Sequence, residues 1–367
     1  MRDFPRTTGE ITAEWLTNVL RASGAIRGAS VKSFTVSNIG VGQGVVGDVS
    51  RLDLEYDTPE KTAPRAVIAK LALADDEKRE FIDSAGLYEP EAGFYRELAS
   101  ASGMATPETY FAEYDAGYVN LLLEDLGHLR AVDQADDCSF DDASAGLNAL
   151  ATMHARWWED PRLPGYSWLP GSPGPEQIRV AVERFPGSLE SCIEKVGDYL
   201  PSGFEAIARM YGKSIPEITR LNYRGPLTLT HGDFRLANLF FDDADGATDP
   251  VVAFDWQLAS HAKGASDVGY FLCWSLETES RRRYEKRLLT DYHDCLIDLG
   301  ISGYSYDEFI VDARRAVLKN LRIIVNVLGS SIGDHLLATD DGRKRVVAVC
   351  SRLQTLIDWN CDEVIPK

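Results

Sequence analysis

The stretch from Leu229 to Gln257 constrains the fold more than any other part of the chain. It contains the pattern H-G-D-x-x-x-x-N, with Asp233 and Asn238 on either side of a short loop, followed by an apolar run. An acidic turn that contains glycine then leads to a second apolar run, which ends at Asp255. Two apolar strands joined by such a turn form a hairpin. We therefore expect the hairpin to bring Asp255 back beside Asn238.

These polar side chains are the set that phosphoryl transfer from a nucleotide to a hydroxyl requires. One carboxylate serves as the general base, while an amide and a second carboxylate hold a divalent cation on the phosphates. Hard oxygen ligands suit Mg²⁺, which is usually shared with phosphate oxygens. The alternative interpretation is an acidic hairpin on a helical protein, without a catalytic role.

The same stretch resembles the aminoglycoside phosphotransferase and choline kinase superfamily, and within it the ecdysteroid-kinase-like branch. The resemblance makes Asp233 the catalytic base and His231 its neighbour in the catalytic loop, which it shapes. It makes Asn238 and Asp255 the metal ligands, although Phe-Asp-Trp-Gln stands where a kinase has Asp-Phe-Gly. The superfamily shares the protein-kinase fold. The resemblance therefore implies an α+β, bilobal fold with a small mixed N-terminal lobe built on an antiparallel sheet and a large helical C-terminal lobe.

A glycine-rich segment earlier in the chain has the pattern G-x-G-x-x-G-x-V, with glycines at Gly42, Gly44 and Gly47. In a dinucleotide-binding fold a helix follows such a segment. Here apolar and charged residues alternate over 51–56, which is the period of a strand. A strand, a glycine loop and a second strand form the kinase arrangement, in which the loop covers the nucleotide phosphates. A flexible hairpin tip is the plain alternative.

Lys70 lies inside an apolar run, where Val-Ile-Ala-Lys resembles the kinase strand whose lysine meets the α- and β-phosphates. An edge-strand lysine that reaches water is the alternative. Glu89 and Glu91 compete as the partner of this lysine from the helix that follows. Glu91 lies three, four and seven residues before apolar residues of that helix and so shares their face. We therefore predict that Glu91 pairs with Lys70.

Two more strands are predicted at 109–113 and 118–123, and the second leads into Glu124, Asp125 and Leu126. The resemblance implies that these three residues form the hinge, whose backbone groups meet the adenine ring. The predicted organisation is therefore a nucleotide-binding lobe at 1–123, a hinge at 124–130, and a catalytic and substrate-binding helical lobe at 131–367.

Long helices are predicted after residue 139, including two that are broken at Pro201 and four more after Ser266. Leu-Ala-Thr-Met-His-Ala-Arg-Trp-Trp resembles a helix of the superfamily, and we interpret its His154 as structural rather than catalytic. Asp267 is expected to accept backbone N–H bonds and to hold the catalytic loop in shape. It follows Asp255 by only twelve positions, which leaves no room for the activation segment of a protein kinase. The acceptor should therefore be a small molecule.

The segment 161–175 contains five prolines and three glycines. Loops of that length are usually functional or disordered. It is predicted either to lie on the substrate side, with Trp157, Trp158 and Trp168 as wall residues, or to be a plain surface connection.

The composition limits the partners. A formal net charge of −19 argues against nucleic acid, whose phosphates would be repelled, and against anionic membrane surfaces. No apolar run is long enough to span a bilayer, and the first residues lack the apolar core of a signal peptide. The six cysteines show no C-x-x-C spacing, so reduced thiols are expected. We therefore expect a cytoplasmic protein, and its oligomeric state stays open.

The sequence thus predicts a phosphotransferase that uses ATP, or alternatively GTP, together with Mg²⁺ and an alcohol acceptor. The first rival is an inactive nucleotide-binding pseudokinase that acts as an interaction module. Such proteins usually lack the lysine, the catalytic Asp or the metal-binding Asp, and all three are present here. The second rival, a nicotinamide-dependent oxidoreductase, depends on the glycine loop alone. No motif indicates which hydroxyl compound is the substrate.

Overall fold

The computed structural model describes residues 4–39, 46–244, 246–248 and 250–366. The chain divides into two compact units. The first comprises Met1–Arg130 with Asp242–Ala259, and the second comprises Ala131–Phe241 with Ser260–Lys367. The segment that carries Asp255 therefore groups with the N-terminal part of the chain.

The first unit is built on a five-stranded antiparallel sheet in the order β1-β2-β3-β5-β4. Its strands are β1 (Val31–Asn38), β2 (Gly47–Tyr56), β3 (Ala66–Ala72), β4 (Thr109–Asp115) and β5 (Tyr118–Glu124). The strand predicted after the glycine-rich segment is confirmed as β2. A dinucleotide-binding fold would have a helix at that point, so the structure removes the main support for an oxidoreductase.

Helix α1 (Ala13–Ser23) covers one face of this sheet and packs against β1 and β4. The Thr12 side chain caps its first turn by accepting a hydrogen bond from Trp15 N at 3.1 Å. Gly24 ends it in the left-handed region, with φ +84°. Leu16 and Leu20 on its inner face join a buried cluster with residues of the sheet. The core of the first unit therefore lies between α1 and the sheet.

Two further helices follow β3, namely α2 (Asp76–Ser84) and α3 (Glu89–Gly93). Helix α3 starts with a proline in its first turn and continues as a π-helical segment, Phe94–Leu98. It packs against β4 and β5, which buries Glu91. π-Helical turns inside helices are frequent at functional sites.

The second unit is mainly helical. Its helices are α4 (Phe140–Arg156), α5 (Pro175–Val196), α6 (Phe204–Asn222), α7 (Ala265–Ser275), α8 (Thr278–Asp298), α9 (Tyr306–Leu328), α10 (Ser331–Leu337), α11 (Asp340–Arg352) and α12 (Gln354–Asp358). The prediction of four helices after Ser266 is wrong, since the described residues form six from α7 onward. Helices α10, α11 and α12 are separated by turns of only one or two residues, which apolar periodicity does not mark.

Short strands complete the described secondary structure: β6 (Arg130–Ala131), β7 (Thr228–Thr230), β8 (Leu239–Phe241), β9 (Val251–Ala253) and β10 (Ser260–Ala262). The strands predicted on either side of the acidic turn are present as β8 and β9. In the second unit β7 and β10 pair antiparallel, with Thr230 opposite Ser260. In the first unit Ala253 N donates to Ala105 O at 2.9 Å, which anchors the strand before Asp255.

Helix α9 lies at the centre of the second unit and packs against α5, α6 and α7. A capping box of Ser305 and Glu308 starts it, and Val317 and Leu321 are fully buried in the main apolar cluster. This packing fixes α7, which carries Asp267 toward the catalytic loop.

All six cysteines are free thiols, and five of them are buried, in agreement with the expectation of reduced cysteines. None of the helices in the described part of the chain is both long and apolar enough to cross a membrane.

Candidate active site

The side chain of Lys70 lies between two carboxylates of the first unit. Lys70 is on β3, opposite Val49 of β2 and Leu121 of β5, so its strand is central and the edge-strand alternative is wrong. Its Nζ lies 2.8 Å from the Glu91 carboxylate and 2.7 Å from Asp255 Oδ1. The competing Glu89 is exposed to solvent. Lys70 therefore contacts Glu91 rather than Glu89.

The three charges are strongly coupled because they are mostly buried. Burial by itself would lower the pKa of Lys70, but the charges of Asp255 and Glu91 outweigh it and raise that pKa above its usual value. Burial also raises the pKa of Glu91, although the ammonium of Lys70 opposes this shift. Lys70 thus stays cationic and compensates two acidic groups at once.

Asp255 has a strained backbone, with φ +64° in the left-handed region. Such a conformation costs on the order of 1–3 kcal/mol for a residue with a side chain and persists only where the surroundings hold it. The next residue, Trp256, stacks on Phe94 with ring centroids 3.6 Å apart and an angle of 8°. Its Nε1 donates to Ala253 O at 3.2 Å. The stack ties Asp255 to the helical turn after Glu91.

This stack is not predicted from the sequence, where the noted feature is that the Phe and Gly of Asp-Phe-Gly are absent. The signal that could have found it is an aromatic residue, Trp256, directly after the predicted metal ligand. A second aromatic residue, Phe94, lies one helical turn after Glu91 and so on the same face.

Gly47 opens β2 in a position that excludes a side chain. A Cβ built on it would lie 2.7 Å from Leu71 O and 3.6 Å from Lys70 Cγ. The backbone therefore passes the β3 strand and its lysine at a distance that only glycine allows. Gly42 and Gly44 lie outside the described residues.

The predicted hinge residues are held by hydrogen bonds within the first unit. Glu124 N donates to Glu108 O at 2.9 Å, and the Glu124 carboxylate accepts from Glu108 N at 3.1 Å. Asp125 accepts from Arg51 Nε at 2.8 Å, a contact that the sequence did not indicate. Leu126 is buried.

Asp233, in the second unit, is nearly buried and has a partner at each carboxylate oxygen. Oδ1 accepts from Tyr270 Oη at 2.6 Å and from Arg235 Nε at 3.0 Å. Oδ2 accepts from Asn238 Nδ2 at 2.8 Å. Burial and the charge of Asp233 hold the pKa of Tyr270 well above its usual range, so the phenol remains a donor. These charge-assisted bonds fix the carboxylate in one orientation.

Asn238 is oriented by the same contacts. Its Nδ2 also donates to Asp233 O at 2.8 Å, so the amide nitrogen faces Asp233 and the amide oxygen is the acceptor of the group. Among the described residues, no three His, Cys, Asp or Glu side chains gather as a metal cluster. An amide oxygen is a hard ligand of the kind that Mg²⁺ prefers, and this cation is typically held by one or two protein groups together with substrate phosphates.

Asp267, on α7, holds the start of the catalytic loop. Its Oδ2 accepts from His231 N at 2.7 Å and its Oδ1 from Gly232 N at 2.9 Å, which confirms the role expected for it. His154 Nε2 lies 3.3 Å from Asp267 Oδ2, and His154 Nδ1 lies 2.7 Å from Tyr292 Oη. Burial would raise the pKa of Asp267, but the histidines and N–H donors hold it below its usual value. His154 is buried and bonded on both sides, as expected of a structural histidine.

Two further contacts of this loop were missed by sequence reasoning. Leu236 N donates to Ser275 Oγ at 3.3 Å, and Ala237 N donates to Gln134 Oε1 at 3.1 Å. The imidazole of His231 is buried, and its Nδ1 accepts from Asp233 N at 3.3 Å. These bonds hold the backbone around Asp233 from several sides.

The loop at 161–175 packs into its own unit. Trp157 and Trp168 are buried, so the prediction that their rings serve as walls for a substrate is wrong. Pro170 O accepts from His261 N at 2.9 Å, which joins the loop to β10. Trp158 is half-buried and packs against Tyr304.

The family model that matches this chain is that of the ecdysteroid kinase-like family, over residues 41–156 and 176–301. A search of curated protein sequences finds no significant match.

Solved structures of similar fold cover nearly the whole chain. A choline kinase from Cryptosporidium parvum superposes with a TM-score of 0.55 at 9% identity, over 97% of this chain and 98% of that one. An amicoumacin kinase in complex with AMP-PNP and Ca²⁺ gives 0.53 at 13% identity, over 96% of each chain. A point mutant of aminoglycoside 2′-phosphotransferase-IIIa in complex with GDP gives 0.54 at 12% identity, over 96% and 98%.

At these identities the likeness to solved structures establishes the fold, which is the α+β protein-kinase-like fold. The family match extends over well more than half of the chain and includes every predicted site residue. The protein therefore belongs to the ecdysteroid kinase-like family.

Proposed function

We propose that the protein is a small-molecule kinase that transfers the γ-phosphoryl group of ATP, or of GTP, to a substrate hydroxyl. The observation that carries the proposal is the position of Lys70 within 2.8 Å of both Glu91 and Asp255. Lys70 and Glu91, predicted for nucleotide binding, and Asp255, predicted as a metal ligand, come from distant parts of the sequence and meet at one ammonium group. Nucleotides bound to two proteins of similar fold support the choice of co-substrate.

On the nucleotide side, Lys70 binds the α- and β-phosphates and Glu91 holds it in place. Asn238 and Asp255 would hold Mg²⁺, which would neutralise part of the negative charge of the phosphates. The loop from Gly42 to Gly47 covers the phosphates. The backbone of the segment 124–126 contacts the nucleobase of the nucleotide.

On the acceptor side, Asp233 orients the hydroxyl and takes its proton. The alcohol oxygen forms a bond to the γ-phosphorus while the bond between this phosphorus and the oxygen bridging it to the β-phosphate breaks, which releases ADP. Tyr270 and Arg235 hold Asp233 in one orientation, so little reorganisation is needed when the hydroxyl arrives. His231 and Asp267 act through the loop rather than on the substrate.

The test is ADP formation from ATP over a panel of alcohols that includes sugars, amino alcohols, aminoglycosides, hydroxy acids and steroids, with and without Mg²⁺. The wild type should form ADP and a phosphorylated product with at least one class, and only with Mg²⁺. The Asp233→Asn variant should lose this activity. The matched control is Asp291→Asn, which removes a half-exposed carboxylate on α8 and should keep full activity.

A wild type that binds ATP without phosphorylating any alcohol would contradict the proposal. That result would favour the inactive pseudokinase.

A further inference from the structure

A small cavity of about 20 Å³ lies in the second unit, next to the catalytic loop. It is bordered by the β7–β10 pair and by helices α7 and α9. Tyr270 lines it and donates a hydrogen bond to Asp233 Oδ1 at 2.6 Å. Gly232 also lines it and directly precedes Asp233 in the chain. The cavity is therefore one side chain away from the proposed base.

Hydrogen-bond donors are concentrated around this cavity. Asn320 lines it, is only 3% exposed, and its Nδ2 has no hydrogen-bond partner among the residues that the structure describes. A buried polar group without a hydrogen-bond partner is destabilising, so the amide nitrogen of Asn320 favours an oxygen partner. Lys319, Ser260 and Ser266 add an ammonium group and two hydroxyl groups to the lining.

The lining of the cavity carries one negative and one positive side chain. Asp267 and Lys319 are the charged residues among those that line it in the described chain. The carboxylate of Asp267 already accepts from His231 N and Gly232 N and lies beside His154. Lys319 makes no ion pair within residues 4–39, 46–244, 246–248 and 250–366. Because the carboxylate of Asp267 is already engaged, the groups left for a bound molecule are the ammonium of Lys319 and the amide N–H of Asn320, and both of these donate to an oxygen.

The acidic residue Asp312 on α9 is not a partner of Lys319. Asp312, two turns before Lys319, lies 2.5 Å from Lys263 Nζ and 3.5 Å from an Arg315 guanidinium nitrogen. Its negative charge is therefore compensated locally.

The size of the cavity selects a small group. A space of this kind needs at least about 10–15 Å³ to hold one water molecule, so the cavity takes a single oxygen-bearing group and not a ring. A carbonyl or carboxylate oxygen that reproduces the hydrogen bonds of such a water can replace it at little cost.

We propose that this cavity binds an oxygen of the substrate that accepts hydrogen bonds from Asn320 and Lys319, such as a carbonyl or carboxylate oxygen. The acceptor alcohol is then a hydroxy acid or another oxygen-rich neutral or anionic compound, and not an amino alcohol. This inference depends on the proposed function, because it names the substrate class of the same reaction.

The kinetic test uses three alcohols on one carbon skeleton: glycerate, glycerol and 2-amino-1,3-propanediol. With the wild type, kcat/KM should fall in that order. Lys319→Gln should lower kcat/KM for glycerate by about tenfold or more, mainly through KM, as expected for a lost charge-assisted hydrogen bond. Asn320→Asp should lower it as well and should improve the amino diol. The control Lys344→Gln removes an exposed lysine on α11 and should leave the order unchanged.

A preference of the wild type for the amino diol would overturn the inference. So would equal losses for all three alcohols in the Lys319 and Asn320 variants, since that result fits a cavity that only holds a structural water. ATP affinity, measured in each variant, should stay at the wild-type value, which separates an acceptor effect from a nucleotide effect.

A second measurement decides the question even if the protein transfers no phosphate. The side-chain NH₂ signals of Asn320, assigned by their loss in Asn320→Asp, are followed by NMR during titration with acetate and with methylammonium. Acetate should shift these signals in the wild type and much less in Lys319→Gln. The inference would be overturned if acetate does not shift these signals, or if methylammonium shifts them equally. Neither result would bear on the proposed kinase activity, which has its own test.

Discussion

Replacing Lys70 by methionine removes the ammonium group that Glu91 and Asp255 share, while keeping most of the apolar length of the side chain. Removing one partner of a buried ion pair costs about 3–5 kcal/mol, because a charge is left uncompensated. The side chains of Lys70 and Asp255 are 14% and 22% exposed, so water screens part of the effect. We therefore expect a loss near the lower end, about 3 kcal/mol in the free energy of unfolding.

The loss should depend on pH in a defined direction. Burial raises the pKa of Glu91, and Lys70 opposes this shift, so the variant should raise that pKa further. A carboxyl group with a raised pKa in the folded state contributes stability that is present below its unfolded pKa and is lost as the pH rises through its folded pKa. The loss in the free energy of unfolding of Lys70→Met, relative to the wild type, should therefore be small at about pH 5 and large at about pH 8.

The assay is urea unfolding of both proteins at these two pH values. Lys61→Met, which removes an exposed lysine of the same unit, is the matched control and should behave like the wild type. Adding Glu91→Gln to Lys70→Met should recover part of the loss at pH 8, because the second change removes one uncompensated charge. A Lys70→Met protein as stable as the wild type at pH 8, or a deficit equal at both pH values, would refute the reasoning.

Two further variants test one contact in each of the two units. Tyr270→Phe removes the 2.6 Å hydrogen bond to Asp233 and should lower kcat by roughly tenfold to a hundredfold, the range for a hydrogen bond to a charged group, without changing ATP affinity. Steady-state kinetics with unchanged kcat would remove Tyr270 from this role. Gly47→Ala places a methyl group 2.7 Å from Leu71 O and should raise KM for ATP, whereas Gly28→Ala, which meets no atom within 4 Å, should not. Equal KM values in the two alanine variants would contradict the close approach.

The features that local sequence could predict are those set by periodicity and by turn chemistry. Glu91 was preferred over Glu89 because it shares a helix face with apolar residues, and the structure has Glu91 beside Lys70. Gly24 ends α1 in the left-handed conformation that glycine tolerates, which is also a matter of local turn chemistry. The loop-holding role of Asp267 followed from the family resemblance and is seen in its two backbone hydrogen bonds.

Other contacts depend on tertiary placement, which the local pattern does not contain. Tyr270 reaches Asp233 across 37 positions and Arg51 reaches Asp125 across 74, and neither pair has a spacing that marks it. The stack of Trp256 on Phe94 likewise joins two segments far apart in the chain. Trp157 and Trp168 illustrate the opposite error, because tryptophans near a proline-rich loop suggested a substrate wall and the structure buries both.

The most direct test of the central claim is the affinity for ATP, measured by calorimetric titration with and without Mg²⁺, in the wild type, Asp233→Asn and Asp255→Ala. We predict that Mg²⁺ strengthens binding in the wild type and in Asp233→Asn, although the latter should turn over about 10²–10⁴-fold more slowly. Asp255→Ala should lose the effect of Mg²⁺, because the cation no longer joins the protein to the phosphates. The same ATP affinity with and without Mg²⁺ in all three proteins would contradict the account.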